Sequence, residues 1–184
     1  MDIKELIKKS LQDYHRSKIK IPVKNNRQTF DFNSIKNIAL LFFIKGKTDL
    51  DMVRSTITKL RKENNNIYPI IYSDVNHNVD IITDRDFFIF NSDNFDYRWR
   101  PKLNLKMWLS ENNFDLLINM SFEEHPEMAK FYSLISSKFK IANQNPIYSQ
   151  HNDLTINLKE NTFDFNSFYN LAVDNLKMLK IKRN

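Results

Sequence analysis

Three short stretches of this chain hold side chains of the types that do chemistry. The richest is Ser121-Phe122-Glu123-Glu124-His125-Pro126-Glu127, where three carboxylates and a histidine fall within five residues. Carboxylates beside an imidazole can move protons or hold a cation. Their spacing fits no His-Glu-x-x-His or other strong metal pattern. Acidic groups in a first helical turn also serve the helix dipole alone. Ser121, Glu123 and His125 are the candidates that this stretch offers for ligand binding. The second stretch, Lys45-Gly46-Lys47-Thr48-Asp49, contains the only glycine of the chain. Gly-Lys-Thr ahead of a helix is how a phosphate-cradling loop ends. That loop requires a second glycine five residues before Gly46, where Leu41 stands inside an apolar run. A full phosphate loop is therefore excluded, and Lys45, Lys47 and Thr48 are left as groups that hold a phosphate loosely. The third stretch, Arg98-Trp99-Arg100-Pro101, sets two guanidinium groups around an indole. Such a set grips an anion or stacks on an RNA base. The alternative is that Trp99 packs on the body while Arg98 and Arg100 are solvated or paired with Asp93 or Asp96.

Other chemistry is excluded. The chain has no cysteine, so it has no disulfide, no thiol nucleophile and no thiolate metal site. There is no serine-centred nucleophile elbow and no glycine-rich dinucleotide fingerprint. No cofactor or metal is implied. Of the remaining histidines, His15 and His77 lie in polar surroundings, and His151-Asn152-Asp153 reads as a turn before an edge strand.

These stretches need elements to position them. An apolar run over 35–43 suits a strand buried on both faces. Asp49 is a plausible N-cap for a helix over 50–63. Further strands are expected at 67–72, 87–90, 114–120 and 139–142, with a half-exposed edge strand at 154–158. Residues 74–85 are ambiguous, and 91–101 read as a loop. Helices are expected at 102–113, from Pro126 to about residue 137, and over 166–180, with Pro126 in a favoured first-turn position. Residues 2–17 read as an amphipathic helix, with Ile3, Leu6, Ile7, Leu11 and Tyr14 on one side. Alternating strands and helices with short links predict an α/β fold. We expect a Rossmann-like three-layer sandwich with a mostly parallel sheet of five to six strands and helices on both faces. The expected organisation is a basic helix and connector over 1–33, then a single domain over 34–184. In such sheets, ligands bind beyond the carboxyl ends of the strands where strand order reverses. The stretches beginning at Lys45 and Ser121 both follow strands and so qualify.

The 184 residues carry a net charge of +6, unevenly spread. Residues 1–28 hold eight basic and three acidic side chains, and 177–184 hold four basic and none acidic. Basic ends can contact nucleic acid or simply keep a protein soluble. Asn occurs 24 times and Gly once, a skew that a biased genome explains. The longest apolar run is seven residues, Ile38 to Ile44, against the roughly 20 needed for a membrane helix. The N-terminus lacks the apolar core of a secretory signal. We expect a cytoplasmic protein.

Phe114-Asp115-Leu116-Leu117-Ile118, Ser137-Lys138-Phe139-Lys140-Ile141-Ala142 and Asn152-Asp153-Leu154-Thr155-Ile156 together resemble a small domain-of-unknown-function family of Bacteroidota. The resemblance extends through the closing helix, with Phe168 and Leu176-Lys177-Met178-Leu179. Ala142 stands where that family is expected to carry glycine. The resemblance implies no activity and no catalytic residue. More distantly, the strand at Phe114 and its following loop are similar to the N-terminal half of heptosyltransferase-like glycosyltransferases. That similarity implies a Rossmann-like fold without the C-terminal half that holds most of the nucleotide-sugar site. The expected function is a non-catalytic α/β binding or interaction module. Its partner would be protein or RNA, met through the basic first helix or the Arg98–Arg100 loop. The alternative is a small phosphate- or nucleotide-binding protein related to half of a glycosyltransferase, and a homodimer that completes a cleft is a third option.

Overall fold

The computed structural model describes residues 35–63, 66–73, 87–158 and 164–181. The expected first helix and the ambiguous 74–85 segment lie outside these residues. In chain order the described elements are β1 (Ile38–Ile44), α1 (Lys47–Glu63), β2 (Ile67–Ser73) and β3 (Phe88–Phe90). A 3₁₀ turn (Ser92–Asn94) leads to α2 (Leu103–Glu111) and β4 (Asn113–Asn119). Then come α3 (Pro126–Leu134), β5 (Ser136–Asn143), the short α4 (Pro146–Ser149), β6 (Leu154–Ile156) and α5 (Phe165–Ile181).

The strands form one six-stranded sheet in the order β3-β2-β1-β4-β5-β6, and every pairing is parallel. This is the Rossmann-like three-layer α/β sandwich that the alternating pattern predicts. The central strand β1 shows why. Side chains alternate across a strand, so a strand covered on both faces must be apolar at every position. Ile38, Leu40, Phe42 and Ile44 face α1 and α5, packing with Val53, Ile57, Phe168 and Leu176. Ala39 and Leu41 face the other way, with Leu105, Met128, Phe131 and Tyr148. Truncating one of these, as in Leu41→Ala, should cost about 2–5 kcal/mol.

Charge ties the entrance of the sheet together. Asp115, at the start of β4, accepts the N–H groups of Lys36 and Asn37 at 2.8 and 3.0 Å and pairs with Lys138 Nζ at 2.7 Å. Burial pulls the Asp115 carboxyl up, but the bonds from Lys138, Asn37 and Lys36 outweigh it and hold its pKa below the ordinary value.

Several boundaries differ from the sequence expectation, each for a local reason. Helix α1 starts at Lys47, so Asp49 lies within its first turn rather than at the cap. Its carboxylate reaches back to accept the Lys45 N–H at 2.7 Å. Helix α3 ends at Leu134, three residues short of expectation, because Ile135 is extended (φ −65°, ψ 125°). There the buried Lys140 ammonium donates to the Tyr132 and Ser133 carbonyls at 2.8 and 3.4 Å, a cation on a helix C-terminus. Strand β5 accordingly begins at Ser136, earlier than read. Pro146 opens a helical turn, capped by the Asn145 side chain accepting from the Ile147 N–H at 3.0 Å, where a plain loop was expected.

Candidate functional site

Strand order reverses between β1 and β4: from β1 the chain builds outward to β2 and β3, then returns to β4 on the other side. The crevice beyond these two strands is the switch point at which doubly wound sheets bind ligands. The loop 45–46 and the loop 120–125 both open into it. They are joined by Lys45 Nζ and Glu123 Oε1, 2.7 Å apart, both substantially exposed. Two of the candidate stretches therefore meet, although they are far apart in sequence.

Below this bridge the groups are buried. Ser121 donates its N–H to Asn119 Oδ1 at 3.0 Å, and its Oγ accepts the Glu123 N–H at 3.2 Å. His125 sits one residue before α3, in extended conformation (φ −126°, ψ 104°), with Pro126 as the first helical residue. Its ring lies 4.6 Å from that of Phe43 at the end of β1 and 5.2 Å from that of Tyr72 at the end of β2. His125 Nδ1 is 2.7 Å from Glu127 Oε2, and the Tyr72 hydroxyl donates to the same oxygen at 3.4 Å. The His125 and Glu127 side chains are 11% and 5% exposed, so a carboxylate and an imidazole are held together largely out of water.

Tyr148 braces the loop from another element. Tyr148, on α4, donates its hydroxyl to the Glu123 carbonyl at 3.4 Å. The Tyr148 phenol oxygen is itself approached by the Asn119 side chain and the His125 N–H. Burial drives the Tyr148 hydroxyl pKa well up, and those two donors pull it only partly back. A phenol held protonated remains a donor, which keeps the turn at Glu123 closed.

The other candidates fall as follows. Lys47 and Thr48 occupy the first turn of α1, with Thr48 exposed. A β-carbon at Gly46 would meet nothing within 4 Å, and its φ is not positive. The one glycine is thus not demanded by the backbone, as it would be in a phosphate loop. Arg98, Trp99 and Arg100 lie beyond the end of β3, apart from the crevice. Asp96 Oδ1 accepts the N–H groups of Arg98 and Arg100 at 2.8 and 3.0 Å, and Oδ2 takes Arg100 Nε at 2.8 Å and a terminal nitrogen at 2.7 Å. Trp99 is buried against Phe95 with φ 57°, while Arg98 lies 5.0 Å over the Tyr97 ring. The indole is inside and Asp96 holds Arg100.

Sequence reading missed Glu127, Tyr72 and Phe43. Glu127 was open to discovery, because it lies four residues before Phe131 and so shares the buried stripe of α3. Tyr72 and Phe43 carried no local signal. Among the described residues no group of three or more acidic or histidine side chains is placed to hold a metal ion. No helix among them is long and apolar enough to cross a membrane.

The model of a family of unknown function, DUF6913, matches residues 8–179. This chain belongs to that family. The resemblance to a family without assigned activity is therefore shown over nearly the whole DUF6913 chain. No curated protein matches it. Among solved structures it is similar to the glycosyl transferase family 9 from Veillonella parvula DSM 2008, at 14% identity and a TM-score of 0.46. That likeness covers 77% of this chain and 40% of the other, so the DUF6913 chain spans less than half of that protein's length.

Proposed function

We propose that the chain is a cytoplasmic binding module for a small phosphate-bearing ligand, seated between the carboxyl ends of β1 and β4. One observation carries this reading: Lys45 and Glu123 meet at the switch point, over the buried His125–Glu127 pair. Their bridge is solvated, and such pairs contribute about 0–1 kcal/mol. Exchanging it for contacts to a ligand costs little. Lys45 then takes the phosphate, and Glu123 accepts from a ligand hydroxyl. Asp49 already faces the start of α1, so the positive charge comes from Lys45 more than from that helix end. This geometry favours the small-ligand alternative over contact with RNA or protein through Arg98–Arg100, where Asp96 already engages Arg100. A cysteine-free chain suits a reducing compartment.

The test is thermal unfolding against inorganic phosphate, nucleotides, nucleotide sugars and a short RNA. A ligand at 100 times its Kd adds about 2.7 kcal/mol, an easily measured shift. We expect a shift with a phosphate-bearing small molecule. Lys45→Ala and Glu123→Ala should abolish it while leaving the unliganded midpoint in place. A shift with RNA alone, removed by Arg98→Ala, would defeat the reading in favour of a partner-binding module.

A further inference from the structure

Toward the amino end of the sheet, opposite the crevice, a row of aromatic rings runs from the core into the open. Phe90 and Phe88 on β3 stack with ring centres 6.3 Å apart, and Phe88 stacks on the Trp108 indole of α2 at 3.9 Å and 12°. Trp108 lies 6.2 Å from Phe114 near the start of β4, and Phe114 lies 5.6 Å from Tyr68 near the start of β2. Phe90 and Phe114 are buried, whereas Tyr68 is 44% exposed. A single apolar residue at a surface is ordinary. Tyr68 is not single: with Phe88, Trp108 and Phe114 it lines a cavity of about 660 Å³, a size that holds a small molecule. The strand pattern explains the opening. The Asn66 carbonyl accepts from the Ile38 N–H of β1, so by alternation Pro69 turns its backbone toward β3. Pro69 has no N–H to offer there, and pairing with β3 begins only at Ile70 and Phe88. Among the described residues no strand flanks 67–69 on that side.

Going beyond the crevice reading, we propose that this cavity is a second binding site, for a planar nitrogen heterocycle that is uncharged or acidic. Such a ring continues the stack. It covers the open side of Tyr68 and meets Phe114 and Trp108 in the offset or edge-on contacts that aromatic pairs favour. An aliphatic ring of the same volume fills the space but has no flat face to offer. The polar lining selects further. Asn112 donates its amide nitrogen to the Trp108 carbonyl at 2.8 Å, and its amide oxygen remains to accept a ring N–H. Arg61 is the one charged residue among the described lining residues, and its charge disfavours a cationic ring. The site uses neither Lys45 nor Glu123, so it stands or falls apart from the crevice.

The experiment follows the indole N–H signals of the full ¹⁵N-labelled chain as benzimidazole is added. The chain has two tryptophans: Trp108 lines the cavity, and Trp99 is buried in the 95–101 loop. We expect a saturable shift at Trp108 and none at Trp99, with Trp108→Phe assigning the two signals. Tyr68→Leu, which keeps apolar bulk without a ring, should weaken binding several-fold at an unchanged unfolding midpoint. N-methylbenzimidazole, which lacks the ring N–H, should also bind several-fold more weakly, and this comparison on the wild-type chain needs no variant. Failure to see a saturable Trp108 shift up to the solubility of benzimidazole overturns the proposal. So does a shift matched by cyclohexanol, an affinity unchanged in Tyr68→Leu, or equal affinity for the two benzimidazoles. Binding abolished by Lys45→Ala overturns it as well, because the ring would then sit in the crevice.

Discussion

The loop 95–101 and the stretch 120–127, which runs into α3, follow parallel strands at the carboxyl end of the sheet, and they settle their polar groups in different ways. In the first, Asp96 satisfies partners two and four residues away, and the turn closes on itself. Trp99 adopts a left-handed backbone there (φ 57°), which costs an L-residue about 1–2 kcal/mol. Burial of its indole offsets that cost. In the second, Ser121 and His125 have near partners, but three contacts reach distant elements: Glu123 to Lys45 after β1, Glu127 to Tyr72 on β2, and the loop backbone to Tyr148 on α4. A charge settled by its near neighbours leaves little for a ligand. A charge settled across elements exists as a site only when the sheet is assembled.

Removing a partner in each loop should make the contrast measurable. Glu127→Ala leaves His125 and Tyr72 facing a buried gap, and we expect a loss of about 3 kcal/mol in urea unfolding. Glu127→Gln should lose clearly less. A loss below that of Asp96→Ala would mean that the crevice is not the better-buried region.

Asp96→Ala comes next, at about 1 kcal/mol, since the bonds it removes are partly solvated. Partial burial raises the Asp96 pKa, and the bonds from Arg100 and Arg98 lower it by more, so the folded carboxyl titrates below its ordinary value. Its contribution is therefore complete above the usual carboxylate range and fades as pH falls through the folded pKa. The difference between wild type and Asp96→Ala should shrink in an acid titration of stability, and a constant difference down to low pH would rule this mechanism out.

The smallest effect on folding is expected from Lys45→Ala, under about 0.5 kcal/mol, because its partner Glu123 is solvated. The same substitution should have the largest effect on ligand binding. A large stability loss with unchanged binding would reverse the roles assigned to the two charges.

Much of this architecture could be read in advance because its causes are local. The unbroken apolar run at β1 announces a strand covered on both faces, and the helical spacing of Val53, Ile57 and Leu60 marks the buried stripe of α1. Element boundaries differ where a side chain bonds a backbone group that spacing does not mark, near by or far away. Nothing near Leu134 says that α3 must stop there; the Lys140 ammonium from the next strand meets its last carbonyls. Asp49 suits an N-cap by residue type, yet its carboxylate turns back to the Lys45 N–H.

The candidate site was half legible. Ser121, Glu123, His125 and Lys45 could be chosen by residue type and by their place after strands. Glu127 looked like an ordinary acidic residue at a helix start, and only burial against His125 gives it another role. Composition and periodicity determined an unbroken apolar strand at β1, alternating helices and the absence of thiol chemistry, since these depend on residue types and on spacing along the chain. Strand order decided which loops share a crevice, and with it that Lys45, Glu123, His125, Glu127 and Tyr72 meet. Such meetings depend on pairing between strands far apart in the chain, which no local pattern encodes.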